Sequence, residues 1–198
     1  QKQICNFLKG YGVNKKIANM AFAEAQDALH SYVTDIQQKA EQILAQSRRD
    51  GMLTILLAGR PYHTDPLIQH KLSEMIAALG VNVISDDIVR GNLSVGAGDT
   101  CLVRQWAYMN RLIKAGQWCA EQPFDVHYVQ MTSFGCGPDS FIQDEIRIIM
   151  KKHGKPFTLL KIDDVSNIGS LKLRVRSLIE SLSEQKQDES ERKKQSEK

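Results

Sequence analysis

Apolar residues recur at steps of three and four through Phe22, Ala25, Leu29, Tyr32, Ile36, Ala40 and Ile43, which puts one apolar stripe along a helix spanning residues 18–44. Asn14 stands ahead of it as a cap for free amides, and Asp50-Gly51 follows it as a stop. Beyond Gly51 the period changes. Met52–Ala58 reads as a buried strand, Leu67–Leu79 as a helix closed by Gly80, and Val81–Ile84 as a second strand. After a polar, Gly-rich stretch from Ser85 to Thr100, the positions Leu102, Trp106, Met109, Ile113 and Ala120 mark another helix. A strand at Val126–Met131, a helix at Asp139–His153, a strand at Phe157–Ile162 and a helix at Leu171–Leu182 complete the pattern.

Strands alternating with helices at this spacing predict an α/β fold: a three-layer, Rossmann-like or flavodoxin-like, mostly parallel sheet of about four strands, with a long N-terminal amphipathic helix. The chain divides into an N-terminal helical segment (1–50), an α/β domain (51–182) and a charged tail (183–198) that is either a solvated helix extension or a frayed end. The long helix either packs on its own domain or docks on a neighbouring one.

Composition narrows the classes. The 26 basic and 23 acidic residues are well mixed along the 198-residue chain and leave a net charge of +3, so nucleic acid is not expected as a partner. No run approaches the roughly 18 apolar residues of a membrane span, and no secretory leader pattern opens the chain, so a cytoplasmic location without membrane contact is expected. The chain starts at Gln1 without a methionine, which suggests a piece of a longer polypeptide. Cys5, Cys101, Cys119 and Cys136 form neither a CxxC pair nor a zinc-finger spacing.

In an open parallel sheet, ligands bind at the carboxyl ends of the strands, where the strand order reverses. Four stretches meet that condition: Gly59–Pro66, Ser85–Asp87, Ser133–Ser140 and Lys161–Asn167. Cys136 sits between Gly135 and Gly137, just before a helix whose first turn takes Pro138. Helix-start amides stabilise a thiolate, which makes Cys136 the candidate metal ligand or nucleophile; the alternative is a small residue fitting a tight turn. His63 and Asp65 lie in a turn stiffened by Pro61 and Pro66, and suit acid–base work, metal binding or ligand hydrogen bonding, or else cap their own helix. Arg60, Tyr62 and Asp139, on the same loops, complete the candidate binding residues. Cys119 falls on the buried seam of its helix, Cys101 could lie at a helix start, and Asp163, Asp164 and Asn167 most simply cap the last helix. Gly59 opens neither a dinucleotide fingerprint nor a Walker loop. No catalytic residue is assigned.

The blocks LAGRPYHTDP, VQMTSFGCGPDSFIQDEI and FTLLKIDDVSNIGSLKLRVRSL, with PLIQHKLSEMIAALGVNVISDD and RQWAYMNRL between them, resemble the dehydratase-like region of the CoA-substrate-specific enzyme activases, relatives of the 2-hydroxyacyl-CoA dehydratase system of anaerobic bacteria. The resemblance runs from about Asn14 to Leu182. It implies a fragment of a longer polypeptide whose ATP-binding domains lie elsewhere. It also implies an iron–sulfur cluster in the full-length protein or complex, with Cys136 as this domain's ligand and a dehydratase subunit as partner. An acyl-CoA ligand and a homodimer are further expectations. Gln69-His70-Lys71 replaces the family's usual Asn-His-Gly, so no role passes to His70. One thiolate cannot hold a cluster that takes three or four, so the isolated chain is expected to be iron-free.

Overall fold

The computed structural model describes residues 1–90, 106–133, 135, 137–162 and 168–196, with side chains at all of these except 168 and 188–196. Cys101, Leu102, Cys136, Asp163, Asp164 and Asn167 lie outside the described residues. Four strands, β1 (Thr54–Ala58), β2 (Asn82–Ser85), β3 (Val126–Thr132) and β4 (Phe157–Lys161), form one sheet in the order β2-β1-β3-β4, every pair parallel. Among the described residues six α-helices accompany them: α1 (Lys2–Lys9), α2 (Lys15–Asp50), α3 (Leu72–Ala77), α4 (Ala107–Glu121), α5 (Gly137–Lys152) and α6 (Ile168–Ser196).

Alternation along each strand divides the core in two. Leu56, Ala58, Ile84 and Tyr128 pack against α2, α4 and α5, whereas Ile55, Leu57, Val129 and Met131 pack against α3 and α6. Both sheet faces are therefore covered, as the uninterrupted apolar run of β1 requires, and the fold is the three-layer parallel α/β architecture that the pattern predicts. The strand order reverses between β1 and β3, so the switch point lies where Ala58 and Thr132 end their strands.

The signals at the ends of α2 act as expected. The Asn14 side chain accepts a hydrogen bond from the Ile17 amide at 2.9 Å, and Gly51 closes the helix in the left-handed region, φ 65°. α3 is shorter than the apolar period suggests. Asp65 accepts from the amides of Leu67 and Ile68, His70 and Lys71 take positive φ, and the Gln69 side chain accepts from the Ser73 amide, so a turn of polar caps replaces the first part of the expected helix. At the other end of the chain, α6 continues to Ser196 through the charged segment.

Near the amino ends of the strands, the Lys155 ammonium donates to the carbonyls of Cys119, Pro123 and Val126 at 2.7, 3.0 and 3.2 Å, tying α4 to the start of β3. The Ser47 and Thr54 hydroxyls share a 2.8 Å bond at that end, while Gln37 donates to the carbonyls of Ile88 and Arg90 beyond the end of β2. α2 therefore runs antiparallel to β1. The residues before Gln37 project past the carboxyl edge of the sheet by about 30 Å, at 1.5 Å per residue over the 22 residues back to Lys15.

Candidate functional site

Three of the loops expected to carry chemistry meet at the switch point. β1 delivers Gly59 and a 3-10 turn (Pro61–Thr64), β2 delivers a second 3-10 turn (Asp86–Val89), and β3 delivers Ser133 and then the start of α5. Each turn fixes a polar side chain inside the protein.

Arg60 reaches across to α5, where its Nε and Nη2 donate to Oδ1 of the buried Asp139 at 3.3 and 3.1 Å. The other carboxylate oxygen of Asp139 accepts the Thr132 hydroxyl at 3.0 Å. One carboxylate thus ties the β1 loop, the end of β3 and the first turn of α5 together, and its charge also favours the positive end of the helix dipole. The Arg60 guanidinium lies over the Tyr108 ring at 5.6 Å and the Tyr62 ring at 5.9 Å, and its Nη1 donates to the Tyr62 hydroxyl at 3.2 Å.

His63 turns inward and is fully buried. The Arg60 amide donates to its Nδ1 at 3.1 Å, which leaves the proton on Nε2, and Nε2 donates to the Ser133 hydroxyl at 3.0 Å. Burial pushes its pKa down to about 4; nearby Asp139 raises it and Arg60 lowers it, and the neutral ring results. A ring that donates to Ser133 cannot take a proton from it, so the His63–Ser133 contact is a brace rather than a nucleophile–base pair. Of the readings open for Asp65, capping is the one observed: its carboxylate accepts from the Leu67 and Ile68 amides.

The β2 turn adds two acids. Asp86 accepts the Gly59 amide at 3.3 Å and pairs with Nε of Arg111 on α4, while Asp87 pairs with Arg90 and, at 3.5 Å, with Arg111. Burial pushes the Asp86 carboxyl up against the opposing pull of Arg111. Arg111, Thr132 and Ser133 were not singled out from the sequence. Their signal was position: Arg111 stands one helical turn beyond Trp106-Ala107 in a block that carries the family resemblance, and the other two end a strand at the expected edge.

Gly59 is needed for its size. A Cβ built there would stand 2.6 Å from Nδ1 and 3.1 Å from Cβ of His63. Gly59→Ala should therefore displace the imidazole, break its bonds to Arg60 and Ser133, and cost about 1–3 kcal/mol. The check is the urea midpoint, with amide exchange at Arg60 as local readout; an unchanged midpoint and unchanged Arg60 protection would show that the loop absorbs the methyl.

The fold and this site define an open parallel α/β domain with a cross-braced strand-end crevice. Residues 1–89 match the family model described as CoA enzyme activase uncharacterised domain. The chain therefore carries a CoA enzyme activase-related domain, in keeping with its resemblance to the CoA-substrate-specific enzyme activases. The matched stretch includes Arg60, His63 and Asp86; Ser133, Asp139 and Arg111 lie beyond it. No match was found among curated proteins or among solved structures.

The implied iron–sulfur cluster can be tested against the thiols in view. Cys119 is fully buried in α4, donates to the Val126 carbonyl at 3.6 Å, and has its pKa pushed up to about 12 by burial, so it is the core residue that the sequence predicts. Cys5 is buried between α1 and α2, where it donates to the Asn19 side chain at 3.2 Å. Both nitrogens of His63 and both oxygens of Asp139 are engaged internally. Among the described residues, no group of three or more His, Cys, Asp or Glu side chains could hold a metal ion. The described side chains do not fit a cluster, and a ligand role rests on Cys136, outside them. Among the described residues, no helix is long and apolar enough to cross a membrane.

Proposed function

We propose that this chain is part of a multidomain activator of the 2-hydroxyacyl-CoA dehydratase type, working in the cytoplasm, and that it offers Cys136 as one iron–sulfur ligand at the strand-end crevice. The remaining donors come from other domains of the polypeptide or from a dehydratase subunit, and an acyl-CoA is the small-molecule partner. Such a cluster supplies low-potential electron transfer when bound.

The observation that supports this reading is the Asp139 tie. It anchors the start of α5 to both neighbouring loops at the switch point, three residues after Cys136 in the chain. A fixed helix start close to the ligand in the chain lowers the ordering entropy that assembly with an external partner costs. Covalent thiol catalysis assisted by His63 is disfavoured by the same geometry, since that ring already donates inward and is neutral.

The test uses the longer polypeptide, reconstituted anaerobically with iron and sulfide. Cys136→Ala should abolish the visible absorption and remove most of the bound iron. Iron content and colour that survive the substitution would overturn the ligand assignment.

A further inference from the structure

Donors and acceptors are unevenly engaged at the switch point. Asp139 accepts Arg60 on one oxygen and the Thr132 hydroxyl on the other, and Asp86 accepts the Gly59 amide and Arg111. Asp87 accepts Arg90, Arg111 and, at 3.4 Å, the Ser85 hydroxyl, while Asp65 caps the Leu67 and Ile68 amides. Each of these carboxylates is met by a donor of the chain itself, so none of them is reserved for a ligand.

Ser133 differs. Its oxygen accepts Nε2–H of His63 at 3.0 Å, and the direction of that bond is fixed, because the Arg60 amide donates to Nδ1 at 3.1 Å and leaves the ring proton on Nε2. The fully buried ring cannot reverse this relay without giving up the Arg60 amide. A hydroxyl ordinarily serves as donor or acceptor as its partner requires. Here the relay occupies the oxygen and leaves the proton, which meets no acceptor among the described residues. Ser133 is the first residue after β3 and is 6% exposed, so this proton sits at the strand-end edge, where an unanswered donor is costly.

We infer that the Ser133 hydroxyl donates to the thioester carbonyl oxygen of an acyl-CoA at the strand-end crevice. A carbonyl oxygen accepts and has no proton of its own, which is the chemistry that a donor of fixed polarity selects. Ser133 thereby distinguishes an acyl thioester from a thioether, and His63 acts through it as a positioning residue. This inference rests on the acyl-CoA partner of the proposed function and is independent of iron ligation by Cys136.

Isothermal titration calorimetry of the 198-residue chain tests it with acetyl-CoA and with S-ethyl-CoA, a thioether of similar shape that lacks the carbonyl oxygen. The native protein should bind acetyl-CoA about fivefold more tightly, the effect of one net hydrogen bond. Ser133→Ala should abolish that preference and leave S-ethyl-CoA binding within about twofold of native. A merely structural role would weaken both ligands alike, since the His63 N–H left unpaired acts on the loop and not on the carbonyl. Ser133→Thr keeps the hydroxyl and should keep the preference, which serves where the alanine variant does not fold. Equal native affinities, a preference that survives in Ser133→Ala or vanishes in Ser133→Thr, or an equal loss of both ligands in the alanine variant would overturn the inference and leave the acyl-CoA partner standing. A native chain that binds neither ligand would overturn both.

Discussion

Acidifying the protein from pH 6.5 to pH 4 should remove several kcal/mol of stability through two histidines alone. His63 is fully buried and His127 is 2% exposed, and both have pKa values pushed down to about 4, in each case chiefly by burial. Lys155 and Lys186 push His127 further down. The unfolded chain takes up these protons near the ordinary histidine value of about 6.5, while the folded protein resists until about pH 4. Between those limits the unfolded state holds more protons, so stability rises with pH. The contribution is complete above about pH 6.5 and lost as pH falls towards 4, at roughly 3 kcal/mol per histidine. That is a large share of the 5–15 kcal/mol typical of a domain.

His127→Phe separates this effect from the carboxylates. Both ring nitrogens of His127 are buried and have no hydrogen-bond partner among the described residues, and the ring sits edge-on to Phe124 at 5.6 Å. The phenyl ring removes two unsatisfied groups but is larger than the imidazole, so the variant should be about as stable as the native protein at pH 7. It should also lose about half of the histidine-dependent slope in urea titrations between pH 4.5 and 7. An unchanged slope would show that His127 titrates normally in the folded protein.

Asp139→Ala should be the most damaging single substitution at the crevice. It removes the acceptor of two Arg60 bonds and of the Thr132 hydroxyl from a site where the carboxylate is 2% exposed. Breaking a buried pair from one side leaves the other charge uncompensated, typically at 3–5 kcal/mol. Arg60 keeps 22% of its side chain in water and still has Tyr62 and Tyr108 beneath it, which points to the lower end, about 3 kcal/mol. For a chain of this size that corresponds to a fall in melting temperature of about 6–12 °C. Asp139→Asn keeps the shape and an acceptor for Arg60 and should cost about half as much. Differential scanning calorimetry at pH 7 decides the matter: an alanine variant melting with the native protein would mean that the tie contributes no stability.

What the chain fixes locally is legible in its residues. Periods of two and of three to four distinguish β1 from α2, Asn14 and Gly51 announce the ends of α2, and the seam position of Cys119 forecasts its burial, because each depends on neighbours within a few residues. Alternation of strands and helices was enough for the parallel sheet and so for the edge at which to look. Even local rules competed at Asp65 and Gln69, whose side chains cap amides and shorten α3 where the apolar period alone extends it.

The partners of the buried polar groups were decided only by tertiary structure. Arg60 and Asp139 are 79 residues apart and His63 and Ser133 are 70 apart; the pattern brings their loops to one edge, but nothing in either segment says which side chains pair there or that His63 turns inward while Asp65 stays with its own turn. A buried charge must find a counter-charge, but periodicity carries no information about which distant one it will be. The same holds for α2, whose single apolar stripe reads alike along its length. Only the packed domain shows that, among the described residues, Ala40 is buried while Leu29 is 55% exposed, because the sheet ends before the helix does.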